Sequence, residues 1–373
     1  MTSVRSFCSS PSRLALALLT FACGAASAAT SSDSSKPIEP ILRVQIFLDR
    51  QLFGPGKVDG RPGEFTLKAL HRYQRLQGLP ETDLEPNNLD LSSVQELYTN
   101  YTIREEDLKF IGEVPKQPSE QCKKKYLPYE TLEEFLTERF HCSETILEAV
   151  NGVKKMTNLK PGDVVSVPNV EPFRLEDLNP IAGLPDVPEF HTRIIHIDTK
   201  EKMLDLYDED RLLASFPITP GSGHLATPPG KWRILGIAQM PTFRWDASVL
   251  EYGIRSDHFY ELPFGPNNPV GVMWIGLNRP GIGIHGTNNP QTIGRSASHG
   301  CMRTANWDVA RLSKMITKEM TVIIEGPPAE PRPVLAKNES RSSAQAASSI
   351  ASPPPAPPAA QQGERRFKWF WQH

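Results

Sequence analysis

The stretch "GIGIHGTNNPQTIGRSASHGCMR", residues 281–303, holds His285, His299 and Cys301 among glycines and small polar residues. A thiol of ordinary pKa is only a few per cent ionised at neutral pH, so a nucleophilic cysteine needs a base or a positive charge beside it. His299 stands two residues before Cys301, and side chains that close diverge on an extended backbone. His285 follows the strand-like "GIGI" and can return opposite the cysteine across a loop. His285 is therefore the expected base for Cys301, and His299 the expected substrate-orienting group. Gly300 lets the backbone approach a substrate closely, and N–H groups around Gly300 and Cys301 can face a developing oxyanion. Arg303 can bind a carboxylate through its planar fork, and Ser298 can hold His299 or bond the base. Two other readings compete. His285, His299 and Cys301 could ligate zinc, but neither C-x-x-C nor H-E-x-x-H spacing accompanies them, so no metal is expected. A purely structural thiol would be buried, and a glycine-rich polar loop is a poor place for burial.

The rest of the chain supplies context for that thiol. Arg5 and Arg13 precede a short apolar run, "LALALLTFACGAASA" (14–28), that ends in the small residues Ala26-Ser27-Ala28. This is the pattern of a secretion signal over 1–28, too short for a transmembrane helix. Lipidation at Cys23 is the other reading, for which Thr20-Phe21 fits poorly. Loss of 1–28 takes the formal charge from −2 to −4, which gives no reason to expect nucleic acid as a partner. Cys122, Cys142 and Cys301 remain. An oxidising compartment favours a Cys122–Cys142 pair with Cys301 as the odd thiol; the other reading has all three reduced and buried.

At roughly 100–200 residues per domain, 373 residues imply two or three domains, and 35 prolines imply linkers. After a Ser/Thr-rich linker (29–37), residues 38–100 read as a three-helix bundle. Ile41, Val44, Leu48 and Leu52 space one helix; Ala69, Leu70, Tyr73 and Leu76 line a second begun near Thr66; a third is expected over 91–98. Within 122–170, residues 126–170 read as helix, helix, strand: Leu132, Phe135, Leu136 and Phe140 share a face, and Ser143 caps a helix closed by Asn151-Gly152. A proline-bearing linker (171–189) leads to a mainly-β domain (190–326), with two strand runs in 193–219, further strands at 230–237, 270–277 and 320–326, and a helix over 306–317. The Pro/Ala/Ser-rich tail (327–373) cannot bury a core and is expected to be disordered. Its end, "GERRFKWFWQH", has the chemistry to touch a membrane surface or a protein partner; the plain reading is a sticky terminus of unknown use.

"IHGT" (284–287) followed by "SHGCMR" (298–303) resembles the signature of the L,D-transpeptidase catalytic domain, also called YkuD. "TPPGKWRI" (227–234), "GPNNPVGVMWIGL" (265–277) and "NWD" (306–308) share that resemblance, which covers 190–326. In 38–100, the residues Gln45, Leu48, "VDGRPGEFT" (58–66), Ala69, Leu70, Tyr73, Gln74 and "GL" (78–79) resemble a peptidoglycan-binding helical domain. Residues 122–170, with "LKPGDVVSVPNV" (159–170), resemble a degenerate LysM module, a glycan-binding family, and depart from it at "YLPYETLEEF". The implied fold is multidomain: a mainly-β YkuD-like domain preceded by a three-helix bundle and a small α+β LysM-like module. The implied activity is acyl transfer on peptidoglycan stem tetrapeptides in the cell envelope or periplasm, without a cofactor. Cys301 is implied as nucleophile and His285 as general base, with Ser298, His299, Gly300 and Arg303 shaping the site. Hydrolysis of the same thioester, and a non-catalytic wall-anchoring role, are the rival expectations.

Overall fold

The computed structural model describes residues 37–84, 86–222, 225–295 and 300–327. All belong to the unit that begins at Ser35. The expected signal peptide, most of the 29–37 linker, Ser298, His299 and the tail beyond residue 327 lie outside the described residues.

Two helices come first, α1 (Glu39–Arg50) and α2 (Glu64–Leu76), with Leu42, Val44, Leu48, Ala69 and Leu70 buried between them and their surroundings. The helix expected over 91–98 is absent. Val94 N–H bonds back to Leu91 O in a turn, and the chain then extends into β1 (Tyr98–Thr102). Leu91, Val94 and Leu97 have helical spacing, but the backbone just beyond them is claimed by a strand partner. The short α3 (Pro118–Gln121) is followed by α4 (Leu132–Arg139), α5 (Glu144–Asn151), α6 (Val153–Met156) and β2 (Val164–Pro168). Thr131 and Ser143 cap α4 and α5 by accepting from Glu134 N–H and Ile146 N–H. β2 pairs antiparallel with β1, Tyr98 facing Pro168 and Thr102 facing Val164. The helix–helix–strand run thus finds its first strand upstream of residue 122.

Then come β3 (Ile181–Ala182), β4 (Arg193–Asp198), β5 (Met203–Asp208), β6 (Arg211–Pro217), β7 (Gly230–Gln239), β8 (Phe243–Trp245), α7 (Ala247–Tyr252), β9 (Tyr260–Leu262), β10 (Met273–Leu277), β11 (Gly283–His285), β12 (Met302–Arg303), α8 (Asn306–Ser313) and β13 (Thr321–Glu325). One sheet runs β12-β11-β10-β7-β13-β4-β5-β6, with β3 against β7. Its two ends meet: Thr219, just past β6, exchanges backbone hydrogen bonds of 2.7 and 3.0 Å with Arg303 in β12. The sheet therefore curls on itself around Ile195, Leu204, Ile237, Ile275, Ile284, Met302 and Val322, all buried. Residues 193–219 hold three strands, not two, because Glu209 adopts φ 52° and turns the chain tightly between β5 and β6.

The helical region is docked on this sheet through buried polar contacts. Arg72 in α2 donates to both carboxylate oxygens of Asp205 in β5 at 3.0 Å. Asp49 in α1 accepts from Arg311 in α8 at 2.8 and 3.0 Å, and from His141 at 3.0 Å. His141 stacks on Trp307, ring centroids 5.2 Å apart. Cys122 and Cys142 form no disulfide, which corrects the expected pairing. Cys142 is buried directly after His141 at the junction, whereas the Cys122 thiol bonds its own helix turn at Ser119 O, 3.3 Å away.

Candidate active site

His285 ends β11 and Arg303 ends β12, and the parallel register sets the two side by side. Side chains alternate along a strand, so Ile284 and Met302 enter the core while Gly283, His285, Cys301 and Arg303 share the opposite face. One step back along the register, Cys301 stands beside Gly283, two residues before His285, on the same face of the sheet. On the other flank, β10 sets Trp274 opposite His285, and the two rings stack with centroids 5.3 Å apart.

The imidazole is held in one tautomer. His285 Nδ1 lies 2.7 Å from the carbonyl oxygen of Gly286. A carbonyl only accepts, so Nδ1 carries the proton and Nε2 is left as a base. Burial lowers the His285 pKa to about 4; the Gly286 bond opposes this and the Arg303 charge adds to it. The ring is thus neutral at neutral pH. Cys301 is half-buried; desolvation pushes its thiol up to about 12, opposed by a backbone hydrogen bond from Gly283. Its Sγ donates to Gly281 O at 3.1 Å. Burial thus favours the uncharged form of both the thiol and the imidazole.

Gly300 adopts φ +101°, a conformation that a side chain disfavours. It packs against Gly221, where an added Cβ would stand 2.6 Å from Gly300 N and Cα. Arg303 is tied by its backbone to Thr219, so the loop carrying Cys301 is pinned on both sides. The structure thus brings together Cys301, His285, Gly300 and Arg303, while Ser298 and His299 lie outside the described residues.

Sequence reading missed three participants. The Gly286 carbonyl has no sequence signal. Trp274 lies in a recognised strand run, but its place against His285 depends on the β10–β11 register. Asn306 opens α8 fully buried, and its Oδ1 accepts from Val272 N–H at 3.1 Å and Thr287 N–H at 3.2 Å.

Part of this chain is similar to known proteins. Residues 192–324 match the YkuD family, the L,D-transpeptidase catalytic domain. The YkuD protein of Bacillus licheniformis is 31% identical over 130 residues, which cover 35% of this chain and 64% of that relative. The chain thus spans less than two thirds of that relative's length. The YkuD protein of Bacillus subtilis strain 168 is 29% identical over 143 residues, 38% of this chain and 72% of the relative. Among solved structures, the catalytic domain of the E. faecium L,D-transpeptidase is 20% identical and aligns over 36% of this chain and 98% of that one, with a TM-score of 0.29. L,D-transpeptidase 3 of Mycobacterium tuberculosis is 15% identical over 45% of this chain and 77% of that one, with a TM-score of 0.30. The segment that matches is mainly β and follows an N-terminal helical region, as the sequence implied.

Proposed function

We propose that this chain is an exported L,D-transpeptidase that acts on peptidoglycan stem peptides by cysteine acyl transfer. The observation that carries the reading is the tautomer lock: Nδ1–H of His285 is held on Gly286 O, leaving Nε2 as base on the sheet face that bears Cys301. The match of 192–324 to the YkuD domain supports the substrate class.

In the first half-reaction Sγ of Cys301 attacks the carbonyl of the L-centre residue preceding the terminal D-amino acid. The thiol proton passes to His285 Nε2 as the S–C bond forms. The C–N bond then breaks, His285 returns the proton to the departing D-alanine amine, and a thioester remains. In the second half an acceptor amine attacks the thioester and gives its proton to His285. The new amide forms and the thiolate leaves as a thiol. Neutral partners suit this sequence, because transfer to Nε2 accompanies attack and no charge is held in a buried site beforehand. The docked helical region would present the polymer to this face, and residues 1–28 would direct export.

Intact-mass spectrometry after incubation with tetrapeptide muropeptides tests the reading. An acyl adduct on wild type that is absent from Cys301→Ala, with cross-linked dimers as product, is the expected result. Tripeptide products without dimers would replace transfer by hydrolysis. An unmodified Cys301 with no turnover would leave a wall-anchoring protein.

A further inference from the structure

Glu138 lies in α4, outside the segment that matches the YkuD domain, yet it bonds a buried residue inside that segment. Its Oε1 accepts from Asn306 Nδ2 at 2.5 Å, across 168 residues of chain. The orientation of that amide is settled from its other end. Val272 N–H and Thr287 N–H can only donate, so the atom facing both is Oδ1, and Nδ2 must face Glu138. Asn306 fits there because its neighbours are glycines: a Cβ on Gly271 or Gly286 would stand 2.0 Å from Oδ1. Glu138 is buried and also hydrogen-bonded to the buried Tyr129, so the chain of contacts is anchored at its far end. At the near end, Thr287 N–H and the Gly286 carbonyl belong to one planar peptide unit. Asn306 holds the N–H side of that plane; His285 Nδ1–H is held on the carbonyl side.

We infer that Glu138 is a positioning residue, contributed by the helical region, that holds His285 in its base-competent tautomer through Asn306 and the Gly286–Thr287 peptide; this rests on the acyl-transfer reading above for its effect on rate. Without an acceptor at 138 the buried Asn306 Nδ2 is left unsatisfied, and the amide turns to find a partner. Thr287 N–H is then released, the peptide plane is free to rotate, and Gly286 O no longer selects the Nδ1–H form. The catalytic domain thus depends on its neighbour for the orientation of its base.

The test uses the full chain as wild type, Glu138→Met, Glu138→Gln and Tyr129→Phe. Methionine fills the volume without an acceptor; glutamine keeps both the acceptor for Asn306 and a partner for Tyr129. Two quantities are read: the rate at which a carbapenem acylates Cys301, followed by intact mass, and the ¹⁵N chemical shifts of the His285 ring, which report the tautomer without turnover. Glu138→Met is expected to slow acylation about 10- to 100-fold, the scale of a small misplacement of a reacting group. Its ring signals are expected to move towards a tautomer mixture. Glu138→Gln is expected to keep the wild-type rate within about threefold and the wild-type tautomer, since both hydrogen bonds survive. Tyr129→Phe removes one hydroxyl from a filled core and is expected to shift both readouts in the same direction by less; it serves if the methionine variant does not fold. A folded Glu138→Met or Tyr129→Phe with wild-type rate and wild-type ring signals overturns the inference. Wild type that takes no adduct overturns the acyl-transfer reading, and the ring signals of the variants still decide the role of Glu138.

Discussion

Trp274 and His285 lie face to face, ring centroids 5.3 Å apart and planes 16° from parallel. The indole also covers Gly283, where a Cβ would stand 2.7 Å from indole Cζ2. It forms a dry wall on the base, and burial is the leading cause of the depressed His285 pKa of about 4.

Trp274→Ala should therefore raise that pKa. Opening the wall admits water, which favours the imidazolium and moves the pKa back towards its ordinary value near 6.5. Only the neutral ring accepts the thiol proton, so the acid limb of the rate profile should shift upward by about one to two pH units. Trp274→Phe, which keeps a ring over His285, should shift it less. The pH dependence of carbapenem acylation of Cys301 measures this; an unmoved limb for Trp274→Ala would show that the indole does not set the base.

Gly221→Ala should damage the nucleophile loop while sparing the fold. The added Cβ would meet Leu225 O at 2.2 Å and Gly300 N and Cα at 2.6 Å. These are backbone atoms, so relief means moving the segment that carries Cys301. A shift on the order of 1 Å there costs about 10²-fold in rate. Acylation rate beside a thermal melt checks it: a large loss of rate with a modest fall in Tm is expected, and an unchanged rate would mean that the loop does not rely on this contact.

The sequence made some of this legible and hid the rest for physical reasons. Strands β4, β7, β10 and β13 announce themselves because β-branched and aromatic residues cluster there. The pair His285 and Cys301 announces itself because a lone thiol in a glycine-rich loop needs a base, and local strand geometry disfavours the nearer His299. The lock on His285 is a backbone carbonyl, which leaves no mark on residue identity. Trp274 and Glu138 reach the site through tertiary pairing, one across an antiparallel register and one from another segment altogether. Leu91, Val94 and Leu97 misled as a helix because spacing alone does not show that Tyr98–Thr102 will be drawn into a strand by Val164–Pro168.

Asp308→Asn should stabilise the protein most at alkaline pH. Arg311 has Asp49 on one side, at 2.8 Å, and Asp308 on the other, at 4.0 Å. Burial works against ionisation of both. Asp49 overcomes it through His141 and Arg311 and is held well below the usual carboxylate range. Asp308 does not: burial pushes it up to about 8, and its Oδ1 has no hydrogen-bond partner among the described residues. A carboxyl with a raised folded pKa favours the native state fully below the unfolded value near 3.9. That advantage is lost as pH rises through about 8. Asp49 has the opposite sign, and its contribution is lost as pH falls below about 4. Wild type should thus lose stability from pH 4 to 8 relative to Asp308→Asn, the gap widening by up to about 5 kcal/mol. Denaturant melts of both proteins at the two pH values measure it; a gap that does not widen with pH would count against a neutral Asp308.

The two cysteines of the helical region should behave as independent thiols even under oxidising conditions. Cys142 is buried, and desolvation pushes its thiol far above the ordinary value, so the reactive thiolate is scarce and inaccessible. Cys122 is half-buried, and its thiol bonds Ser119 O in its own helix turn. In the native protein iodoacetamide should therefore modify Cys122 first, and Cys142 only at the rate at which the region opens. Under denaturing, non-reducing conditions both should take the label in full. Peptide mapping after each treatment gives the answer. A disulfide-linked peptide joining Cys122 and Cys142 would require the α3 segment to leave its place, and would restore the pairing expected for an exported chain.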